Sequence, residues 1–301
     1  MWEGRLTAPT DKISPVTSPI RLIAIDIDGT LLDSQFKIPA ANISALRRAH
    51  ELGTEICLVT GRRHSFALPI AEMLGFNVSL ISSNGAVTRS LQGELFHRDL
   101  LPAATVRKLI RHMDDFRGHA VVTFDVETKG ALVLERADEL HHSISRWLEK
   151  NAPFLEYRIP LEDCLITDPV QAMYCGTIPR MREAENHLKS AGLDHEITVL
   201  KTEYPHRDLC MFDVLNYACS KGHAVERWAA HRRISRDQIM AIGDNYNDRE
   251  MLEYAGMPVV MGNASEELKQ LGWTVTLSND EGGVAAAVEH ALGLESANTR
   301  S

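Results

Sequence analysis

The chain has 301 residues, 44% of them hydrophobic and 24% charged, with a formal net charge of −9. That composition suits a soluble globular protein of two domains, or one core with a large insertion. An acidic chain without a Lys/Arg tract is a poor partner for nucleic acid or an anionic membrane, and no apolar run reaches the length of a membrane span.

The opening stretch MWEGRLTAPTDKISPVTSP carries Pro, Thr and Ser and no apolar core. Residues 1–20 are therefore expected to be a flexible tail and not a secretory signal. The five cysteines, Cys57, Cys164, Cys175, Cys210 and Cys219, include no CxxC and sit mostly in apolar segments. They read as free thiols of a reducing cytoplasm. Without a secretory signal, the Asn-x-Ser sequons at Asn42, Asn77 and Asn263 carry no meaning.

Residues 21–26 read as a buried strand that runs into Asp26 and Asp28. PAANISALRRAHELG follows as a helix, TEICLVTG as a strand, SFALPIAEMLG as a helix and NVSLISSNGA as a third strand with a turn. This alternation predicts a parallel sheet covered on both faces, an α/β fold of Rossmann-like order. The middle of the chain differs. AATVRKLIRHMDDF reads as a helix, HAVVTFDVE and GALVLER as a hairpin, and ELHHSISRWLEKN as a helix. PVQAMYCGTI, RMREAENHLKSAG and EITVLKTE then read as strand, helix and strand. Locally paired strands predict an inserted α+β unit, placed at 89–212, between core segments 21–88 and 213–301. The core pattern resumes after Lys221 with DQIMAIGD, MPVVMG and WTVTLS as strands and NDREMLEYA, ASEELKQLG and GGVAAAVEHALGL as helices.

Four strand ends carry candidate chemistry. In an extended segment Asp26 and Asp28 point the same way, toward the carboxyl end of the sheet where open α/β folds place ligands. Like charges that close call for a cation nearby. Alone, DIDGT is a moderately specific signal, with an acidic turn capping a strand as the alternative. Thr60, Gly61 and Arg62 end the second strand, where a threonine hydroxyl can meet an oxyanion; a Thr-Gly turn is the plainer reading. Lys221 precedes a helix and by itself reads as solvated. Asp244, Asn247 and Asp248 lie in GDNYND, where helix capping is an alternative. Together, Asp26 and Asp244 offer hard oxygen ligands of the kind Mg²⁺ prefers, and Lys221 offers a compact positive charge.

The order DIDGT, TGR, lysine, GDNYND resembles the haloacid dehalogenase superfamily. SSNGA after the third strand and the long insertion resemble its Cof-type phosphatases with a C2 cap, of the C2B subtype. The resemblance implies Asp26 as nucleophile, Asp28 as general acid and base, and Thr60 and Lys221 as holders of the phosphoryl oxygens. It implies Mg²⁺ on Asp26, Asp244 and the main-chain carbonyl of Asp28, with Asp248 behind them. It points to Asn247, and to Asn84 and Gly85, as phosphate or linker contacts; Gly61 and Arg62 border the phosphate. Arg62 and Arg63 are candidates to meet an anionic substrate, and Arg63 reads equally as a surface residue. NYACSKG, before Lys221, has less Gly and Pro than the linkers of many relatives. The function implied is Mg²⁺-dependent hydrolysis of a small phosphorylated metabolite, such as a sugar phosphate, a flavin-precursor phosphate or pyridoxal phosphate, through an aspartyl-phosphate. The rivals are a phosphosugar mutase of the same superfamily and a phospho-ligand sensor without turnover.

Overall fold

A computed structural model describes residues 19–293; residues 1–18, most of the expected tail, lie outside the described part. The strands run β1 (Leu22–Asp26), β2 (Glu55–Val59), β3 (Ser79–Ser82), β4 (Val87–Ser90), β5 (Leu95–Arg98), β6 (Ala120–Thr123), β7 (Leu132–Leu134), β8 (Leu155–Tyr157), β9 (Gln171–Gly176), β10 (Ile197–Tyr204), β11 (Leu209–Asn216), β12 (Ile239–Gly243), β13 (Met257–Val260) and β14 (Thr274–Val275). The helices are α1 (Ala40–Glu51), α2 (His64–Glu72), α3 (Ala103–His112), α4 (Ser145–Asn151), α5 (Ile178–Leu188), α6 (Lys221–Arg232), α7 (Arg249–Tyr254), α8 (Glu266–Lys269) and α9 (Gly283–Ala291).

Two sheets result. The first has eight strands in the order β14-β13-β12-β1-β2-β3-β4-β5, and the second six in the order β10-β11-β9-β6-β7-β8. In the first, β1 pairs in parallel with both β2 and β12. Its continuous apolar run is explained by burial on both faces. Ile23 and Ile25 pack with Leu46 of α1 and Val284 of α9, while Leu22 and Ala24 pack with Trp228 of α6 and Leu252 of α7. The strands β4 and β5 are antiparallel additions at the edge. In the second sheet, one face packs Tyr174 and Phe212, stacked 5.1 Å apart, against α3 and α5.

The expected insertion boundaries, 89 and 212, fall inside β4 and β11. The hairpin β4–β5 hydrogen-bonds to β3 and keeps the first sheet going to Arg98. At the other end β11 pairs with β9 and β10 and keeps the second sheet going to Asn216. Neither β11 nor β8 has a counterpart among the expected elements. The helix expected over 139–151 begins only at Ser145, after a 3₁₀ turn at His142–Ile144. The expected helix ASEELKQLG and strand WTVTLS shorten to α8 and the two-residue β14.

The two linkers cross side by side, since Asn216 Nδ2 donates to Asp99 Oδ1 at 2.7 Å. In the Gly-poor second linker, Ala218 adopts φ of 58°, a left-handed conformation that usually falls to glycine. Arg89 of β4 clamps Asp125, just beyond β6, through two hydrogen bonds of 2.7 and 2.6 Å. Arg63 adds to this clamp: it donates to Asn151 and to the Val126 carbonyl, and stacks its guanidinium 4.9 Å from the Phe154 ring centre. The inserted unit thus rests against the carboxyl ends of the first sheet.

Candidate active site

The strand β1 ends at Asp26 and turns at once. The N–H groups of Leu31 and Leu32 donate back to the carbonyls of Asp26 and Ile27, at 3.2 and 3.0 Å. Gly29 makes the turn possible. Its φ is +81°, and a Cβ there would stand 2.4 Å from Asp244 Oδ2. Thr30 completes the contact, its hydroxyl donating to Asp244 Oδ1 at 2.8 Å.

Asp26 and Asp28 share an end of the sheet and little else. Asp26 is 4% exposed, whereas the Asp28 side chain is 47% exposed. Asp28 is held by Arg62, whose Nε and terminal nitrogen donate at 2.7 and 2.5 Å to its two oxygens.

The cation that Asp26 calls for is Lys221, the first residue of α6, behind the N-cap Ser220. Its ammonium is buried between Asp26 and Asp248, donating at 2.6 Å to each. The other oxygen of Asp248 accepts from the backbone N–H groups of Asp244 and Asn245, at 3.0 Å each. The capping reading of GDNYND is therefore correct and incomplete, because one carboxylate caps the turn and also pins the lysine. Asp26, Asp244 and Asp248 each bring a carboxylate oxygen into a group whose members lie within 4.8 Å of one another.

Three carboxylates and one ammonium leave the cluster short of positive charge. Burial, reinforced by the charge of Asp248, holds the Asp26 carboxyl well above its usual range despite Lys221. Burial and Asp248 likewise push Asp244 up to about 7. For Lys221, burial works against the charged form, but Asp248 and Asp26 outweigh it and hold the ammonium above its usual value.

The second strand end brings Thr60, which is 1% exposed; its hydroxyl accepts from the Arg62 N–H at 3.1 Å. The SSNG turn lies alongside, with the Asn84 N–H donating to the Thr60 carbonyl at 2.9 Å. Asn84 takes φ of 55°, which asparagine tolerates better than most residues. Its amide oxygen accepts from Asn247 at 3.2 Å and its Nδ2 donates to Asp213 at 3.1 Å. Gly61 passes close to it, a Cβ there meeting Asn84 Oδ1 at 3.0 Å. Gly85 is a packing residue as well: a Cβ would stand 2.2 Å from the Ser220 carbonyl, so glycine lets this turn press on the start of α6. Arg63, a candidate for an anionic substrate, turns instead to the inserted unit.

The sequence reading passed over Asp213 and Tyr204. The signal for Asp213 is a lone acid inside the apolar run CMFDVL. Tyr204 ends β10, which packs over the Tyr246–Asp248 turn. Its phenol is raised by burial and then by the charge of Asp28, with Asp244 and Asp213 acting the same way.

A family model for haloacid dehalogenase-like hydrolases matches residues 23–288. The chain belongs to that family. It is 31% identical to the phosphatase YwpJ of Bacillus subtilis, over 91% of this chain and 100% of that one. It is 28% identical to the pyridoxal phosphate phosphatase YbhA of Escherichia coli, over 83% and 90% of the two chains. A haloacid dehalogenase-like hydrolase from Bacteroides thetaiotaomicron superposes with a TM-score of 0.74 at 27% identity, over 90% of this chain and 99% of its own. The protein is a Cof-type phosphatase of this family, with a parallel core sheet and an inserted cap.

Proposed function

We propose that the protein hydrolyses a small phosphorylated metabolite in a Mg²⁺-dependent reaction, through a phosphoryl group carried on Asp26. The carrying observation is the buried Asp26–Lys221–Asp248 cluster with Asp244 beside it, at the carboxyl end of the sheet. Its donor set is all hard oxygen and its negative charge exceeds what one lysine balances, which fits a divalent cation. Asp26, Asp244 and the main-chain carbonyl of Asp28 would hold Mg²⁺, which when bound neutralises the repulsion between a carboxylate and a phosphate.

The residues divide the work. A carboxylate oxygen of Asp26 attacks phosphorus and the bond to the leaving oxygen breaks. Asp28 gives that oxygen a proton, then takes one from the water that cleaves the acyl phosphate. Lys221 and the Thr60 hydroxyl bind the phosphoryl oxygens, and Asn247 and Asn84 border them. Asp248 positions Lys221. Arg62 transfers its N–H groups from Asp28 to the incoming phosphate, which frees Asp28 for the proton. The cap, which we assign to the C2B subtype, closes over the site and excludes water. The pyridoxal phosphate phosphatase among the relatives supports a small metabolite as substrate. A cytoplasmic setting is supported by the five free thiols; no helix among the described residues is long and apolar enough to cross a membrane.

Phosphate release from a panel of phosphomonoesters with Mg²⁺, with and without a sugar bisphosphate, tests this. Release without the bisphosphate is the expected result. Transfer that depends on the bisphosphate makes the protein a mutase, and binding without turnover makes it a sensor; either overturns the reading.

A further inference from the structure

The face of the second sheet that looks toward the first is set by register. Asp213 lies opposite Met173, and Met211 lies opposite Cys175 and Thr202. Alternation puts these residues on the face opposite the Tyr174–Phe212 layer. Asp213 reaches the first sheet through Asn84, so this face stands against the site.

A chain of side chains crosses there. Asn247 donates to Asn84 at 3.2 Å, Asn84 donates to Asp213 at 3.1 Å, and Gln171 Nε2 donates to Asp213 at 2.8 Å from the other side. The chain ends in acceptors. Gln171 is 8% exposed, and its Oε1 is buried without a hydrogen-bond partner among the described residues. Asp213 is the one charged member, and it forms no ion pair with any lysine or arginine among the described residues. Its part-buried carboxyl is pushed up to about 7 by desolvation, against the pull of Asn84. Buried acceptors without donors are rare, since each forfeits its bonds to water. Here one such acceptor, Gln171 Oε1, stands beside the Asp213 carboxyl, whose two oxygens each accept one amide hydrogen bond, at the cap end of a chain that begins beside the phosphate site. The thioethers of Met173 and Met211, both half-buried on this face, add an adaptable apolar wall.

We propose that Asp213 and Gln171 recognise the leaving group of the substrate, accepting hydrogen bonds from a hydroxyl or ammonium group and rejecting a second anion. The inference rests on the phosphatase reading above and adds which residues choose the substrate. A site built to meet a donor penalises the analogue that lacks it, because its acceptors are then left buried and unpaired.

The test compares kcat/KM for four esters in Mg²⁺: glycerol 1-phosphate, O-phosphoethanolamine, propyl phosphate and 3-phosphoglycerate. The wild-type protein is expected to favour glycerol 1-phosphate or phosphoethanolamine over propyl phosphate by about 10- to 100-fold, with 3-phosphoglycerate poorest. Which of the first two is better separates a hydroxyl from an ammonium group. Gln171→Met, similar in length and lacking the acceptor, and Asp213→Asn should each shrink that ratio to about threefold or less. A merely structural role would lower all four esters together and keep the ratio. A wild-type ratio near one, or a ratio kept in both variants while circular dichroism shows them folded, overturns the proposal. The wild-type comparison decides even where a variant fails to fold. p-Nitrophenyl phosphate separates the two levels. Its hydrolysis with a ratio near one sinks this inference alone, whereas no hydrolysis of any ester sinks the phosphatase reading and this inference with it.

Discussion

The two sheets present their chemistry differently. The first gathers Asp26, Thr60 and Asp244 at the ends of parallel strands and sets Lys221 among the carboxylates. The second presents Asp213 and Gln171 on an antiparallel face and answers the carboxylate with amides only. A buried acid hydrogen-bonded to an ammonium has a partner for its charged form and can serve as a nucleophile or ligand. A buried acid among amides sits near the edge of ionisation and keeps acceptor capacity to offer. Stabilisation of a phosphoryl group needs the first arrangement. Discrimination between leaving groups needs the second.

The largest expected effects fall on the first sheet. Asp26→Asn removes the attacking oxygen, so turnover should drop to background and acid quenching should trap no phosphoenzyme. Continued turnover would remove Asp26 from the role of nucleophile. Chelation with EDTA should abolish phosphate release, and added Mg²⁺ should restore it. Asp244→Asn exchanges a charged ligand for a neutral one, so the Mg²⁺ concentration for half-maximal rate should rise sharply in a titration. Full activity after rigorous chelation would sink the metal assignment.

Asp28→Asn should cost less, about 10²–10⁴-fold, the usual worth of general acid–base catalysis. The loss should be smaller with p-nitrophenyl phosphate than with an alkyl phosphate, because a good leaving group departs without a proton. Rapid quenching should then show the phosphoenzyme accumulating, since its hydrolysis has lost the base. Equal losses on both esters with no trapped intermediate would mean that Asp28 moves no proton.

How much of this was legible beforehand follows the same division. DIDGT, TGR, SKG and GDNYND are local patterns, and the parallel alternation around them predicts where strand ends converge. Each motif could be weighed without knowing the rest of the fold. The side-chain pairing was less legible: Arg62 on Asp28 and Arg63 on the cap depend on rotamers that spacing does not set. The cap face was not legible. Asp213 meets Asn84 across 129 residues of sequence, and β11 was missed because an acid interrupts its apolar run. The hairpin β4–β5 follows the SSNG turn directly, so its place in the first sheet rests on pairing with β3.

The smallest effect sharpens the comparison by its sign. Asp248→Asn leaves the Lys221 ammonium buried with one partner fewer, and breaking such a pair costs about 3–5 kcal/mol of stability. Asp213→Asn should differ. The folded Asp213 carboxyl titrates near 7 and the free one near 3.8. Between those values the folded chain binds a proton that the unfolded chain has released. Wild-type stability contributed by this group therefore falls as pH rises from about 4 to about 7, and stays at its lower level above that. A shift of that size corresponds to at most about 4 kcal/mol. The amide variant has no such titration, and its own hydrogen bonds to Asn84 and Gln171 do not vary with pH across the window. The stability of Asp213→Asn relative to wild type should thus rise steadily between pH 4.5 and 7.5, whatever its starting offset. Denaturant unfolding of both proteins across that range measures it. A difference that stays flat would mean that the Asp213 carboxyl is not raised in the folded chain, and the contrast between the two sheets would be lost.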